Sequence, residues 1–99
     1  MRAESIISKD LAHRPLVSRI ARTVGISKSK LEKEFKELFG DSPVKYWRKQ
    51  GLKKAADELL TTDKPVREIA ALFGFRRASS FISSFKATFN ATPEEWRKK

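Results

Sequence analysis

The sequence predicts an all-α fold in which two helix-turn-helix units are joined by a longer helix. Apolar residues recur every three or four positions through each predicted helix, as they do on the buried side of an amphipathic helix. Glycine or asparagine follows four of these segments, where a helix can end in a left-handed residue. The first half of the chain also returns in the second half, and no segment shows the alternation of a β-strand.

The repeat involves core residues, turn residues and helix starts together, which is hard to obtain by chance. Core and turn residues return 49 positions later, whereas one apolar stripe and one capped helix start return 50 positions later. The pairs are Ile20-Ala21 with Ile69-Ala70, Gly25 with Gly74, Leu31 with Phe81, Phe35 with Phe85, Phe39 with Phe89, and Ser42-Pro43 with Thr92-Pro93. We therefore assign residues 1–42 to a first helix-turn-helix subdomain, 43–60 to a linker helix and 61–99 to a second subdomain.

Two short helices are predicted at the start of the chain. The opening helix covers residues 1–10 and ends ahead of Arg14-Pro15, because the residue before a proline resists helical angles. The second helix runs over Leu16–Val24, with Pro15 at its start and Leu16 on its apolar stripe. Gly25 ends it and forms the turn of the first helix-turn-helix unit.

The next two helices each have a side-chain cap at the start. Ser27 is the predicted N-cap of a helix over Lys28–Phe39. Its inward stripe is expected to contain Leu31, Phe35, Leu38 and Phe39. Ser42 then caps a helix that begins at Pro43 and reaches about Leu60. Its internal Gly51 costs roughly 1 kcal/mol relative to alanine, so we expect a kink or a close contact there.

The second helix-turn-helix unit occupies Val66–Phe89, where two amphipathic helices meet at Gly74. The first of these helices has an apolar stripe made of Ile69, Ala70, Leu72 and Phe73, and the second has Phe81, Phe85 and Phe89. Asn90 is expected to end the second helix in a left-handed conformation. Thr92-Pro93-Glu94-Glu95 then predicts a capping box at the start of a last helix.

The composition favours a nucleic-acid partner and offers nothing for catalysis. Lys and Arg number 22 against 12 Asp and Glu, which gives a net charge of +10. Proteins of membrane surfaces share such a charge. There is no cysteine, and His13 is the only histidine, so we expect no metal, cofactor or disulfide. No phosphate-binding loop or nucleophile motif is present, and we expect no enzyme. Since no signal peptide or membrane span is evident, a cytoplasmic location follows as the expectation.

Two motifs resemble the DNA-binding domain of the AraC/XylS family of bacterial transcription regulators. The first is I-A-R-T-V-G-I-S-x-x-x-L-x-x-x-F-K-x-x-F-G-x-S-P-x-x-Y, at residues 20–46. The second is V-x-E-I-A-x-x-x-G-F-x-x-x-S-x-F-x-x-x-F-K-x-x-F-x-x-T-P-x-x-W-R, at residues 66–97. One helix-turn-helix pattern alone would be a weak signal. Two in this order, each followed by a Ser/Thr-Pro helix start, form a specific one.

The resemblance implies seven helices, of which the third and sixth are recognition helices that enter adjacent major-groove segments on one face of the DNA. It also implies a bacterial protein that is associated with the nucleoid. It implies a transcription regulator, expected to be an activator, because family members usually activate transcription by contacting RNA polymerase. Members usually also carry an effector-binding or dimerisation domain, expected to be absent from this chain, although some small members have none, so an excised domain and a free-standing protein both stay open. The implied base-reading residues are Ser29, Glu32, Lys33 and Lys36 in the third helix and Ser79, Ile82, Ser83 and Lys86 in the sixth. The implied phosphate contacts come from Lys28, Lys30, Arg76, Arg77 and the backbone near Val44.

Three positions depart from the usual family pattern. Gly51 stands where an arginine is common, which affects the packing of the linker helix. Asn90 replaces a glycine but is the next best residue for a left-handed cap. The sixth helix carries small hydroxyls and Ile82 where Arg or Gln is frequent, and such side chains read bases through thymine methyls or water. We therefore expect the first unit, through Glu32 and Lys33, to supply more of the base discrimination.

Other interpretations stay open for several of these residues. Glu32 can accept a hydrogen bond from cytosine or form an ion pair with Lys28 or Lys36 one turn away. Aromatic residues that follow the Ser/Thr-Pro starts could stack on bases, but their recurrence favours core packing; they are Tyr46, Trp47 and Trp96. At the level of the whole chain, the alternatives are a nucleoid-type or RNA-binding protein without sequence preference and a basic helical module that binds an acidic protein.

Overall fold

The computed structural model describes residues 2–98, and each regular element within them is an α-helix, which confirms the predicted fold class. The seven helices are α1 (Arg2–Ser8), α2 (Val17–Val24), α3 (Lys28–Phe39), α4 (Pro43–Thr61), α5 (Val66–Leu72), α6 (Ala78–Phe89) and α7 (Pro93–Arg97). The chain forms two compact units, a first unit of residues 1–50 and a second unit of residues 51–99. Within residues 2–98, no helix combines the length and the apolar character that a membrane crossing requires.

The core of the first unit is built around Trp47, which lies in the first half of α4 and is 1% exposed. Its indole Nε1 donates a hydrogen bond to the carbonyl oxygen of Asp10 at 3.0 Å, so this large side chain is buried with its polar atom satisfied. Tyr46 packs against the same core and donates its hydroxyl to Glu4 at 3.2 Å. The buried residues around Trp47 are Ala3, Ile7, Ile20, Ala21, Leu31 and Phe35.

The core of the second unit is made by the second half of α4 together with α5 and α6. Trp96 of α7 packs on this core and donates its indole N–H to the carbonyl oxygen of Ala56 at 3.1 Å. The two tryptophans and Tyr46 are therefore packing residues, which confirms the core interpretation of these aromatic side chains. The buried residues of the second unit are Leu52, Ala55, Ala56, Leu59, Ile69, Ala70, Phe75, Phe81 and Phe85.

The predicted caps of the helices are confirmed. The hydroxyl of Ser27 accepts a hydrogen bond from the backbone N–H of Lys30 at 3.1 Å, and α3 spans the predicted residues. Asn90 ends α6 with φ of +58°, in the left-handed conformation that favours glycine or asparagine. At the start of α7, Thr92 and Glu95 each accept a hydrogen bond from the backbone N–H of the other, which completes the capping box.

Three leucines that were expected on buried stripes are exposed, and those predictions were wrong. Leu16 is 60% exposed because it is the N-cap of α2 and has extended backbone angles, so the helix begins one residue later than predicted. Leu38 is 65% exposed because the inward stripe of α3 advances by four residues to Phe39 and leaves Leu38 outside it. Leu72 is 42% exposed at the last residue of α5, where the buried pair is Ile69 and Ala70.

Gly51 has the close neighbour that its position in the linker helix predicted. It is buried within α4, and a Cβ atom added there would lie 3.6 Å from the Cβ of Phe73. That distance is an ordinary van der Waals contact, so the site has room for an alanine but brings the helix backbone close to the turn after α5. The opening helix is shorter than predicted, since α1 ends at Ser8 rather than at Asp10.

Candidate nucleic-acid interface

Helices α3 and α6 have the same division between a buried and an exposed side. Burial follows one pattern over residues 31–40 and residues 81–90, position by position. Leu31 and Phe35 are fully buried in α3, as are Phe81 and Phe85 in α6, and the phenylalanine four residues later is partly buried in both helices. The predicted base-reading residues are all exposed: Ser29, Glu32, Lys33, Lys36, Ser79, Ile82, Ser83 and Lys86.

The turns that lead into the two helices begin with the same hydrogen bond. In the first unit the N–H of Ile26 donates to the carbonyl of Ala21 at 3.0 Å, and in the second the N–H of Phe75 donates to Ala70 at 3.0 Å. Both bonds close around a glycine with positive φ, Gly25 or Gly74. The α2–α3 and α5–α6 pairs are therefore two helix-turn-helix motifs with a common turn geometry.

After this common turn the helix starts differ. The first unit needs only Ser27 to cap α3, which leaves Lys28 and Lys30 exposed in the first turn. The second unit has one more residue in the turn, and Arg77 takes the N-cap position with no side-chain hydrogen bond to the helix. Arg76 and Arg77 are exposed, and neither forms an ion pair within residues 2–98. Two exposed arginines thus directly precede the first residue of α6, a helix start whose N–H groups favour an anion.

Charges on α3 alternate in sign, and few of them are paired. Lys30 lies 4.0 Å from Glu34, a pair in which both side chains are largely exposed and which adds little stability. For Glu32 the described residues contain no ion pair, with Lys28, with Lys36 or with any other side chain. Its carboxylate therefore stands on the outer side of α3 free to accept hydrogen bonds.

Helix α4 begins near the predicted phosphate contact at Val44. Ser42 accepts a hydrogen bond from the N–H of Lys45 at 3.3 Å, and Val44 lies half-buried in the first turn. Asp41 precedes this start and pairs with Lys49 at 2.9 Å and with Lys45 at 3.8 Å. The hydrogen bond from Lys49 lowers the pKa of the Asp41 carboxyl below its ordinary value. Sequence reasoning did not single out Lys45 and Lys49, although their spacing of four and eight residues from Asp41 was visible.

His13 lies outside this surface, where its ring contacts the carboxylate of Asp10 at 3.2 Å. That contact lowers the pKa of Asp10. Among residues 2–98 there is no cluster of three or more His, Asp or Glu side chains that could hold a metal ion. The predicted base-reading and phosphate-binding side chains of α3, α6 and their helix starts present ammonium and guanidinium groups, hydroxyls, one carboxylate and one isoleucine.

Comparison with known proteins identifies this architecture. Residues 20–99 match the family model of the helix-turn-helix domain. The fold coincides with a transcriptional regulator from Chromobacterium violaceum that is described as containing an AraC-type DNA-binding domain; the TM-score is 0.91, the identity is 32%, and 97% of this chain and 86% of the other are covered. The chain belongs to the AraC/XylS family. It is a DNA-binding helix-turn-helix domain of the transcription regulators in that family.

Curated relatives agree with this family membership. The chain is 36% identical over 81 residues to the xylose operon regulatory protein of Escherichia coli K12, which covers 82% of this chain and 21% of the relative. It is 35% identical over 82 residues to the "Probable transcription factor PqrA" of Proteus vulgaris, covering 83% of this chain and 67% of that protein. This AraC-type domain therefore spans about a fifth of the length of the xylose regulator.

Proposed function

We propose that this chain binds a specific double-stranded DNA site through two recognition helices, α3 and α6, which enter successive major-groove segments. The observation that carries the proposal is the common burial pattern of the two helices, which leaves the same outward positions exposed in both. In the proposed arrangement residues 1–42 and 61–99 act as two readers, and residues 43–60 act as the helix that links them. Two linked readers raise the effective concentration of each at its half of the site.

Affinity comes from the phosphates in this proposal. Basic side chains at the two recognition-helix starts displace condensed counterions, which gives binding that weakens steeply as salt rises. The backbone N–H groups at the start of α4, near Val44, add a contact through the positive end of the helix dipole. The proposed phosphate-binding residues are Lys28, Lys30, Val44, Arg76 and Arg77.

Sequence choice comes from the outward positions. Lys33 suits the two acceptors of a guanine edge, and the carboxylate of Glu32, which has no ion pair among residues 2–98, suits the amino group of a cytosine. Both groups are exposed on α3, whereas the equivalent positions of α6 carry no charge. We infer that α3 supplies more of the hydrogen-bonded base discrimination. The remaining proposed contacts are Ser29 and Lys36 on α3, and Ser79, Ile82, Ser83 and Lys86 on α6.

The regulatory role is proposed by analogy with relatives. The xylose operon regulatory protein is named for control of an operon, and it is about five times longer than the matched segment. We infer that this domain works at a promoter in the bacterial nucleoid, as an activator that contacts RNA polymerase, and together with an effector-binding or dimerisation domain. Transcription from a reporter carrying the selected site, with and without the protein, tests the direction of regulation.

Selection from randomised duplex DNA tests the central proposal. We expect a defined site to emerge, and a footprint on that site should cover two neighbouring major-groove segments. The selected duplex should resist displacement by random DNA at moderate salt. Equal displacement by the two would support a binder without sequence choice, and no duplex binding at all would support a protein-interaction module.

Two substitutions separate base reading from phosphate binding. Lys33→Ala should relax the preference at one base pair by about 1–3 kcal/mol, whereas Arg77→Ala should weaken all sites alike and reduce the salt slope by about one unit. Lys53→Ala and Arg2→Ala are matched controls, since both side chains are exposed and lie outside the proposed interface. Retention of full specificity in Lys33→Ala would remove this residue from the base-reading set.

A further inference from the structure

We propose that α6 reads its half of the site through the methyl group of a thymine, and that Ile82 makes this contact. The inference rests on the proposed function, because it requires that α6 lies in a major groove. It adds the identity of the base and the chemical nature of the contact. The second half of the site is then an A·T-containing segment that is recognised by an apolar contact.

The four outward positions of the two helices correspond one to one at a spacing of 50 residues. Ser29 matches Ser79 and Lys36 matches Lys86, so two of the four positions carry the same residue in both helices. Glu32 is replaced by Ile82 and Lys33 by Ser83. The difference between the two readers is therefore confined to adjacent positions, where an acceptor and a donor become an apolar side chain and a small hydroxyl.

Ile82 is exposed on α6 and is not among the apolar residues that pack on the core of the second unit. The residue is 37% exposed, whereas Phe81 before it and Phe85 three residues later are completely buried. Ser79 and Lys86 are the exposed neighbours of Ile82 one turn away on the helix, and exposed Ser83 follows it in the chain. An isoleucine surrounded by two small hydroxyls and one cation forms a local apolar spot on an otherwise polar face.

The major groove offers one base group that matches such a spot. Thymine presents a C5 methyl group there, and the edges of guanine, cytosine and adenine present hydrogen-bond donors and acceptors. A branched hydrocarbon gains by covering a methyl group, and it leaves a polar edge without a partner if it faces one. Ser83 is short and allows close approach, and Lys86, Arg76 and Arg77 provide positive charge around the contact.

Replacing thymine by deoxyuridine tests the inference directly, since this change removes the methyl group and keeps base pairing and the O4 acceptor. The probe is the selected duplex with one thymine at a time replaced in the half bound by α6. We expect one replacement to lower the affinity of the unaltered protein roughly 3- to 10-fold. In Ile82→Ser that same replacement should cause no further loss, whereas Ile82→Val should retain part of the effect.

Leu60→Ser is the matched control, because Leu60 is 51% exposed on α4 and lies outside the recognition helices. This variant should keep the full deoxyuridine effect. Thermal unfolding of Ile82→Ser should match that of the unaltered chain, which shows that any change in binding arises at the surface. A deoxyuridine effect that persists unchanged in Ile82→Ser would overturn the inference.

The outcomes distinguish this inference from the proposed function. If the protein selects a site but no deoxyuridine replacement in the α6 half changes its affinity, the proposed function is supported and the thymine contact is rejected. A protein that prefers no duplex over random DNA loses both. If Ile82→Ser leaves the affinity for every duplex unchanged, Ile82 does not contact a base and the inference is wrong.

Discussion

The two recognition helices compare closely on their inner sides and differ on their outer sides. Helices α3 and α6 have the same burial sequence over ten residues, and each places two fully buried apolar residues four positions apart. Outside, α3 carries Glu32 and Lys33 where α6 carries Ile82 and Ser83. Packing fixes how each helix is presented, and the outward residues are free to take a different chemistry because the core does not depend on them.

The helix starts differ in a related way. A serine caps α3, and positive charge follows it within the first turn of the helix. The start of α6 has no side-chain cap from its N-cap residue, and two arginines precede the helix instead. Positive charge is thus spread along α3 and concentrated ahead of α6. Because a side-chain cap stabilises a helix, we expect the start of α6 to be less stable than the start of α3.

Removing the buried phenylalanine from either helix should have the largest effect. Phe35→Ala and Phe85→Ala should each lower the free energy of unfolding by about 3–5 kcal/mol, because each removes a fully buried ring and leaves a cavity. Urea denaturation followed by circular dichroism measures this loss. Leu38→Ala, at an exposed position of α3, should change stability by less than about 0.5 kcal/mol. Strongly unequal losses at Phe35 and Phe85 would break the similarity of the inner sides.

Replacing Glu32 and Lys33 by the residues at the equivalent positions of α6 should make the four outward positions of α3 identical to those of α6. The double variant Glu32→Ile with Lys33→Ser should lose about 1–3 kcal/mol of discrimination at each base pair that these residues read. Repeated selection from randomised DNA should then give a thymine in the first half of the site and an unaltered second half. The pair Lys53→Ser with Asp57→Ile, exposed on α4, provides a matched exchange of one acid and one lysine. An unchanged first half after the Glu32–Lys33 exchange would place base reading elsewhere.

Changing the caps should sharpen the difference between the helix starts. Ser27→Ala removes the hydrogen bond to Lys30 and should destabilise the chain by about 1 kcal/mol. Arg77→Ser supplies the missing cap and should raise stability by about 0.5–1 kcal/mol while it weakens DNA binding. Thermal unfolding and DNA titration on the same samples compare the two effects. If Arg77→Ser does not raise the melting temperature, the missing side-chain cap at the start of α6 does not lower the stability of the chain.

Low pH should slightly destabilise the starts of α4 and α7, where a carboxylate is held by a lysine in one case and by a backbone N–H in the other. The pKa of Asp41 is lowered by the hydrogen bond from Lys49, and the pKa of Glu95 is lowered by the backbone N–H of Thr92. Because both folded pKa values lie below the unfolded ones, each carboxylate contributes stability above the unfolded pKa and loses it as pH falls through the folded pKa. The melting temperature should therefore decline below about pH 4, and Glu95→Gln should flatten this decline.

Salt distinguishes the two carboxylates. In the ion pair of Asp41 with Lys49, the lysine side chain is exposed to solvent. This pair should weaken in 0.5 M salt, because the screening length is already only about 10 Å at about 0.1 M and becomes shorter as salt rises. The capping box of Glu95 uses a backbone N–H donor and should keep more of its contribution. Equal salt sensitivity of the acid-dependent stability in Asp41→Asn and Glu95→Gln would contradict this assignment.

The sequence predicts features whose causes are local. Helix α3 has the predicted bounds because a serine begins it and a glycine ends it, and the capping box of α7 lies within four consecutive residues. The three misplaced leucines show the limit: an apolar side chain next to a stripe looks like part of it until the buried face is known. Contacts between distant residues had no sequence signal, as with the 3.2 Å hydrogen bond from Tyr46 to Glu4, 42 positions away.

Candidate site residues could be predicted as exposed because the phenylalanine stripe fixes which side of α6 faces inward. The bases that these residues contact could not be predicted, since the sequence of the DNA site cannot be read from the amino-acid sequence. Within residues 2–98 Glu32 forms no ion pair, and this could not be predicted because Lys28 and Lys36 both lie at the spacing that allows one.

The boundary between the two units falls at residues 50 and 51, inside α4, so the two halves of this helix belong to different cores. Buried Ala3 and Ile7 of α1 correspond, 49 positions later, to buried Leu52 and Ala56. The latter half of α4 thus supplies buried residues to the second unit at the repeat positions where α1 supplies them to the first. We expect exposed residues at this boundary to tolerate substitution. An inserted residue should be destabilising, because each extra residue rotates the following part of a helix by about 100° and moves its apolar residues off the buried side.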